Sequence, residues 1–146
     1  MPMICASVRA TRPLALACAL LWPAIALAEP TAAQRTVLDG YVAAARTGEP
    51  GFAATAERGR AFFFAQHGGG KPDTPACTAC HTADLKGPGR AKAGKPIEPM
   101  AASVAPGRYT DPAEVEKWFG RNCKDVLGRA CSAQEKADSL AFLLSQ

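Results

Sequence analysis

Cys77-Thr78-Ala79-Cys80-His81 is the stretch on which the reading of this chain turns. Two thiols separated by two residues can add to the two vinyl groups along one edge of a haem, and the next residue then reaches the iron with its imidazole. C-x-x-C-H is accordingly the attachment signature of c-type haem. On this reading Cys77 and Cys80 become thioethers, His81 is the proximal ligand, and one covalent haem c is the cofactor. Two other chemistries use paired cysteines. A thioredoxin-like dithiol needs a strand before the motif and a βαβ context, and the Gly-rich, Pro-containing stretch from Gly68 to Ala76 supplies neither. A zinc site built on Cys77, Cys80, His81 and one later cysteine would leave an odd cysteine behind.

Outward from the motif, the N-terminus bears on the compartment. Residues 1–28 read as a secretory signal peptide, with Arg9 and Arg12 as the basic region, an apolar run from Leu14 to Leu27, and Ala26-Leu27-Ala28 as the cleavage site. A membrane anchor fits less well, since the run is shorter than the ~20 residues a bilayer needs and contains Pro23. A lipoprotein signal at Cys18 fits worse, because the apolar run continues past that cysteine. Removing 28 of 146 residues leaves 118, and losing Arg9 and Arg12 from 17 basic residues leaves 15 against 13 acidic ones. The mature net charge would then be +2, compared with +4 for the whole chain. Cys5 and Cys18 leave with the signal. Cys77, Cys80, Cys123 and Cys131 remain as two pairs, an even count that suits an oxidising compartment. The expectation is a bacterial periplasmic protein, not membrane-embedded after cleavage. Haem attachment outside the cytoplasm agrees with export.

Composition narrows the class further. Hydrophobic residues make up 48% and charged residues 21%, which excludes disordered and collagen-like chains, and the length excludes a multidomain enzyme. No basic run supports nucleic-acid binding. Strand-like alternation is almost absent, so the chain reads as all-α. One helix is expected from Thr31 to Thr47, with Val37, Leu38, Tyr41, Val42 and Ala45 at helical spacing and Gly48-Glu49-Pro50-Gly51 ending it. A second spans Thr55 to Gln66, where Gly59 offers a gap beside Phe62, Phe63 and Phe64 for a close helix crossing. Loops follow at Gly68 to Ala76 and Gly87 to Pro106. Asp111-Pro112-Ala113-Glu114 carries an N-cap, a first-turn proline and a capping acid, predicting a helix to about Phe119 that Gly120 ends. Ser132-Ala133-Gln134-Glu135 is a capping box for a final helix with Ala137, Leu140, Ala141 and Leu144 as one apolar stripe. The domain plan is a signal peptide at 1–28, a helical N-terminal extension at 29–54 and a haem domain at 55–146.

That helix order resembles the class I cytochromes c, in which a helix carrying a glycine and an aromatic precedes the haem motif and crosses the C-terminal helix. Gly59, Phe62 or Phe63, and Leu140 or Phe142 match those positions. The resemblance implies a sixth ligand from the segment before the final helix, here Arg121 to Cys131. That segment has no methionine or histidine, leaving Asn122, Lys124 and Asp125 as donors. Met100, 19 residues after His81, is the runner-up, and reads equally as packing against the haem. His67, 10 residues before Cys77 and followed by three glycines, reads as a loop histidine. From the residues alone, Asn122 reads as a helix C-terminal residue after Gly120.

Pro99-Met100-Ala101-Ala102-Ser103, Arg108-Tyr109-Thr110-Asp111-Pro112, Val115-Glu116-Lys117-Trp118-Phe119 and Arg121-Asn122-Cys123-Lys124-Asp125-Val126-Leu127-Gly128-Arg129 resemble the SHP family of cytochromes c. The resemblance covers the chain from about Ala56 onward. Ala102 departs from an expected proline, and the first helix looks like an addition to the pattern. The resemblance implies Asn122 as the distal haem ligand, a disulfide between Cys123 and Cys131, and redox partners that include a dihaem cytochrome c and a membrane cytochrome b. An amide oxygen is a weak neutral donor that suits ferric iron better than ferrous iron, so reduction should open the distal site to O2, NO or CO. The function expected is a gas-binding monohaem cytochrome linked to electron transfer. An oxidoreductase acting on O2 or NO is one form of it, and a simple electron carrier with Met100 or Asn122 permanently bound is the alternative.

Overall fold

The computed structural model describes residues 29–146, so the signal-peptide reading of residues 1–28 lies outside the described residues. Five helices and one very short hairpin make up the described chain: α1 (Ala32–Arg46), α2 (Ala56–Phe64), α3 (Thr78–His81), β1 (Gly89–Arg90), β2 (Pro96–Ile97), α4 (Pro112–Leu127) and α5 (Ala133–Leu144). The two strands pair antiparallel, with Gly89 opposite Ile97, inside the segment expected to be an irregular loop.

Local chemistry starts each long helix. Thr31 and Gln34 form a capping box on α1, and the Gln34 side chain also donates to the carbonyls of Pro106 (3.2 Å) and Arg108 (2.9 Å). Asp111 accepts from the Ala113 and Glu114 amides to start α4, with Pro112 in its first turn. Ser132 and Glu135 close a second capping box on α5, and Arg129 grips the Glu135 carboxylate at 2.7 Å. α2 starts as expected after Thr55 but ends at Phe64, because Ala65 turns to extended backbone (ψ 149°).

α4 is longer than its sequence suggests. Gly120 does not end it; the helix continues for seven more residues, to Leu127, and stops at Gly128, whose φ of +72° is left-handed. An exposed mid-helix glycine costs about 0.5–1 kcal/mol relative to alanine. Burial of Cys123, Val126 and Leu127 on the next two turns outweighs that. The segment from Arg121 to Leu127, expected as loop, is therefore helix.

The core is organised around α5, which packs against both α1 and α2. Leu140 is fully buried among Val37, Ala102, Val115 and Leu144. On the other side, Phe63 meets Phe142 at 5.8 Å between ring centres. Gly59 is the contact point between α2 and α5: a Cβ there would lie 1.9 Å from the Asp138 carbonyl oxygen and 2.8 Å from Phe142 Cβ. The crossing is also tied electrostatically. Asp138, almost fully buried, accepts from the Thr55 amide (2.7 Å) and from Arg58 Nε (2.8 Å). Gly59→Ala should force the helices apart and lower stability by about 1–3 kcal/mol or more, the usual cost of overpacking. Thermal unfolding of the holoprotein reads this, and an unchanged melting temperature would contradict the close crossing.

Candidate functional site

The sequence between α2 and α3 turns the chain so that the cysteine motif opens onto a cleft. His67 N–H donates to the Pro75 carbonyl at 2.6 Å, closing the base of the loop that delivers Cys77. The Cys77, Cys80 and His81 side chains then share one cleft with Asn122 from α4, Phe62 and Phe63 from α2, and Leu143 from α5. Its volume, taken with the solvent at its mouth, is about 690 Å³. That is the scale of a cofactor site, and most of the lining is apolar.

The titratable groups are tuned by burial. His81 is pushed down to about 4, chiefly by burial and then by the Arg108 charge, so its imidazole is neutral at pH 7 with a lone pair to offer. Its Nδ1 is buried without a protein partner. Burial pushes the Cys77 thiol up to about 11, which keeps it protonated. Cys77 and Cys80 are free, whereas Cys123 and Cys131 are joined as a disulfide with Cα atoms 5.5 Å apart. The disulfide consumes the later cysteines that a zinc site would need. Among the described residues no three His, Cys, Asp or Glu side chains converge on one ion. Donors spread along a cleft wall suit a large flat group better than a metal ion.

Arg108 acts on His81 from beside the cleft, whose lining it does not join. Its guanidinium donates to Met100 Sδ and lies over the Tyr109 ring, while its buried Nε has no protein partner.

Of the other sequence-derived donors, Asp125 also lines the cleft, one helical turn beyond Asn122, whereas Lys124, Met100 and His67 do not. Met100 is 8% exposed, but its Sδ accepts from Arg108 Nη2 (3.3 Å) and Tyr109 Oη (3.8 Å). His67 Nε2 is 2.9 Å from the Phe62 carbonyl, and its ring packs at a tilt against Phe62, 4.8 Å between ring centres. Two cleft residues had no signal in the sequence. Thr74 is buried and hydrogen-bonded to backbone, and Ser139, 4% exposed on α5, has an Oγ without a protein partner. Both are small polar residues in ordinary surroundings, and only the packing of distant segments brings them to the cleft.

Comparison with known proteins agrees with this architecture. A family model described as a domain of unknown function (DUF1924) matches residues 50–143. The cytochrome c-type protein SHP of Cereibacter sphaeroides is 51% identical over 136 residues, covering 93% of this chain and 99% of that protein. The chain belongs to the SHP family of c-type cytochromes. Cytochrome c'' of Methylophilus methylotrophus is 35% identical over 128 residues, covering 87% of this chain and 89% of its own. Among solved structures, oxidised SHP, described as an oxygen-binding cytochrome c, has a TM-score of 0.72 at 50% identity, over 82% of this chain and 100% of its own. Oxidised cytochrome c'' has a TM-score of 0.65 at 32% identity, over 78% and 94% of the two chains. The all-α cytochrome c fold and the covalent haem c cofactor follow from membership of this family.

The disulfide staples α4 to the start of α5 across a sequence separation of eight. On the chain-entropy model, closing the loop from Cys123 to Cys131 inclusive contributes about 2.6 kcal/mol. Replacing Cys123 and Cys131 together by serine should lower unfolding stability by about that amount, measured by denaturant titration. Intact mass of the native protein before and after reduction should show two added hydrogen atoms; no change in mass would mean the bond is not formed.

Proposed function

We propose that this chain is an exported monohaem cytochrome in which the Asn122 amide occupies the distal side of the haem and yields to a diatomic gas when the haem is reduced. The observation that carries the reading is that Asn122 shares one cleft with Cys77, Cys80 and His81 while Met100 does not. The relative described as oxygen-binding supports it. Cys77 and Cys80 would hold the haem through thioethers, and His81 would supply a nitrogen ligand to its iron. When bound, the haem supplies an iron that changes oxidation state and binds small gases in its ferrous form. Asn122 offers only a neutral amide oxygen, a donor whose preference for the harder ferric state makes its hold dependent on redox state. Phe62, Phe63, Val126 and Leu143 keep the cleft apolar, which favours uncharged diatomics over anions.

Export to the periplasm is supported by the signal-like residues 1–28 and by the disulfide. Among the described residues no helix is long and apolar enough to cross a membrane. Residues 29–54 are read as a helical segment preceding a haem domain at 55–146; its helix α1 packs against α5 and shares the core through Val37. Electrons would come from other cytochromes, with a dihaem cytochrome c and a membrane cytochrome b as the partners to try first.

Optical titration of the dithionite-reduced protein with CO tests the reading. Fast, stoichiometric CO binding is the expected result. A ferrous haem whose spectrum ignores CO would instead make this an electron carrier with a ligand retained in both oxidation states.

A further inference from the structure

The end of α4 has unpaired backbone carbonyls, like the end of any helix. One of them, that of Asp125, is capped by a remote segment: it accepts from the Lys71 amide (2.7 Å) and from the Thr74 hydroxyl (2.9 Å). Lys71 Nζ also meets the Asp125 carboxylate at 2.6 Å. Glycines make this approach possible. A Cβ on Gly70 would lie 2.3 Å from the Asp125 carbonyl oxygen and 2.4 Å from the Val126 carbonyl carbon, and one on Gly128 would lie 2.0 Å from the Gly69 carbonyl oxygen. These are backbone atoms, which cannot move aside cheaply. Residues 69–74 therefore lie directly on the last turn of α4. Thr74 is 5% exposed and, like Asp125, lines the cleft.

Asp125 is three residues after Asn122, so the two share a helix face. Three residues beyond Thr74 the same strap becomes Cys77. It thus joins the motif that attaches the haem to the helix that presents the distal amide. We propose that residues 69–74 are a positioning strap, with Thr74 and Gly70 as its determinants: by capping Asp125 it fixes the last turn of α4 and so sets how readily the Asn122 amide is displaced. This rests on the assignment of Asn122 as distal ligand. A loosened turn would let the amide spend more time away from its place, so entering ligands should bind faster.

The test is stopped-flow binding of imidazole to the ferric holoprotein, alongside thermal unfolding. Thr74→Val removes the hydroxyl at constant shape and should speed imidazole entry by roughly twofold to tenfold, the worth of one neutral hydrogen bond. Thr74→Ser should restore the wild-type rate, and Gly70→Ala should exceed the valine variant. Arg46→Ala, which removes a hydrogen bond from the end of α1 to the Phe52 carbonyl (2.9 Å), with neither residue in the cleft lining, controls for general destabilisation and should leave the rate unchanged. If Thr74→Val lowers the melting temperature but keeps the wild-type rate, or if Arg46→Ala speeds entry equally, the strap has no positioning role. Asn122→Ala separates the two levels. An unaltered ferric spectrum there removes the ligand assignment and the strap with it, whereas an altered spectrum alongside unchanged Thr74→Val kinetics removes the strap alone.

Discussion

Asn122→Ala should change the ferric absorption spectrum and raise the affinity of the ferric protein for imidazole by at least about tenfold, because an internal ligand worth about 1.4 kcal/mol or more no longer competes. The ferrous protein should bind CO much as the wild type does, since on this mechanism the amide is already displaced after reduction. Met100→Ala supplies the contrast. It opens a hole beside Leu85, Phe63 and Leu143 and should cost about 2–5 kcal/mol in stability. Its ferric spectrum should match the wild type, because the Met100 sulfur is engaged by Arg108 and Tyr109 outside the cleft. The opposite pattern, with Met100→Ala shifting the spectrum and Asn122→Ala leaving it alone, would reverse the ligand assignment.

Cys77→Ala combined with Cys80→Ala should abolish covalent haem completely. The readout is a pyridine haemochrome spectrum after acid extraction, with intact mass as the check. Each single variant should retain one thioether and remain coloured after extraction, with the spectrum displaced toward that of a haem with one free vinyl. Cys123→Ser with Cys131→Ser should keep the haem in full, since those thiols are already engaged with each other. Covalent haem persisting in the Cys77 and Cys80 double variant would overturn the attachment site.

Much of this site is legible in one dimension because its chemistry is local. Attachment through two thioethers and an imidazole requires five consecutive residues, and nothing distant can substitute for Cys77, Cys80 or His81. The capping boxes at Thr31 and Ser132 are local too, each being an exchange of hydrogen bonds over three residues. Gly59 was readable as a contact point, since a missing side chain next to aromatics has few other uses in a helix.

Gly120 and Gly128 show where local reading runs out. Both are glycines after an apolar position on one helix, and only Gly128 ends it. The difference lies in Cys123, Val126 and Leu127, whose burial draws the helix past Gly120. That extension places Asn122 on a helix face turned to the cleft, where a loop reading gave it no defined direction. The choice between Met100 and Asn122 is likewise tertiary: both are donors by chemistry, and packing assigns one to a buried contact with Arg108 and the other to the cleft.

By itself the sequence determined the cofactor chemistry, the helix starts and the all-α class, because each follows from side chains acting on neighbours a few residues away. Tertiary structure alone decided that Asn122 shares a cleft with His81 while Met100 does not, that Arg108 lies close enough to His81 to act on it, and that residues 69–74 lie across the end of α4. Those facts depend on contacts between segments roughly 50 residues apart, such as that of Thr74 with Asp125. Such contacts are bought by burial of the whole core, and no short run of sequence encodes it.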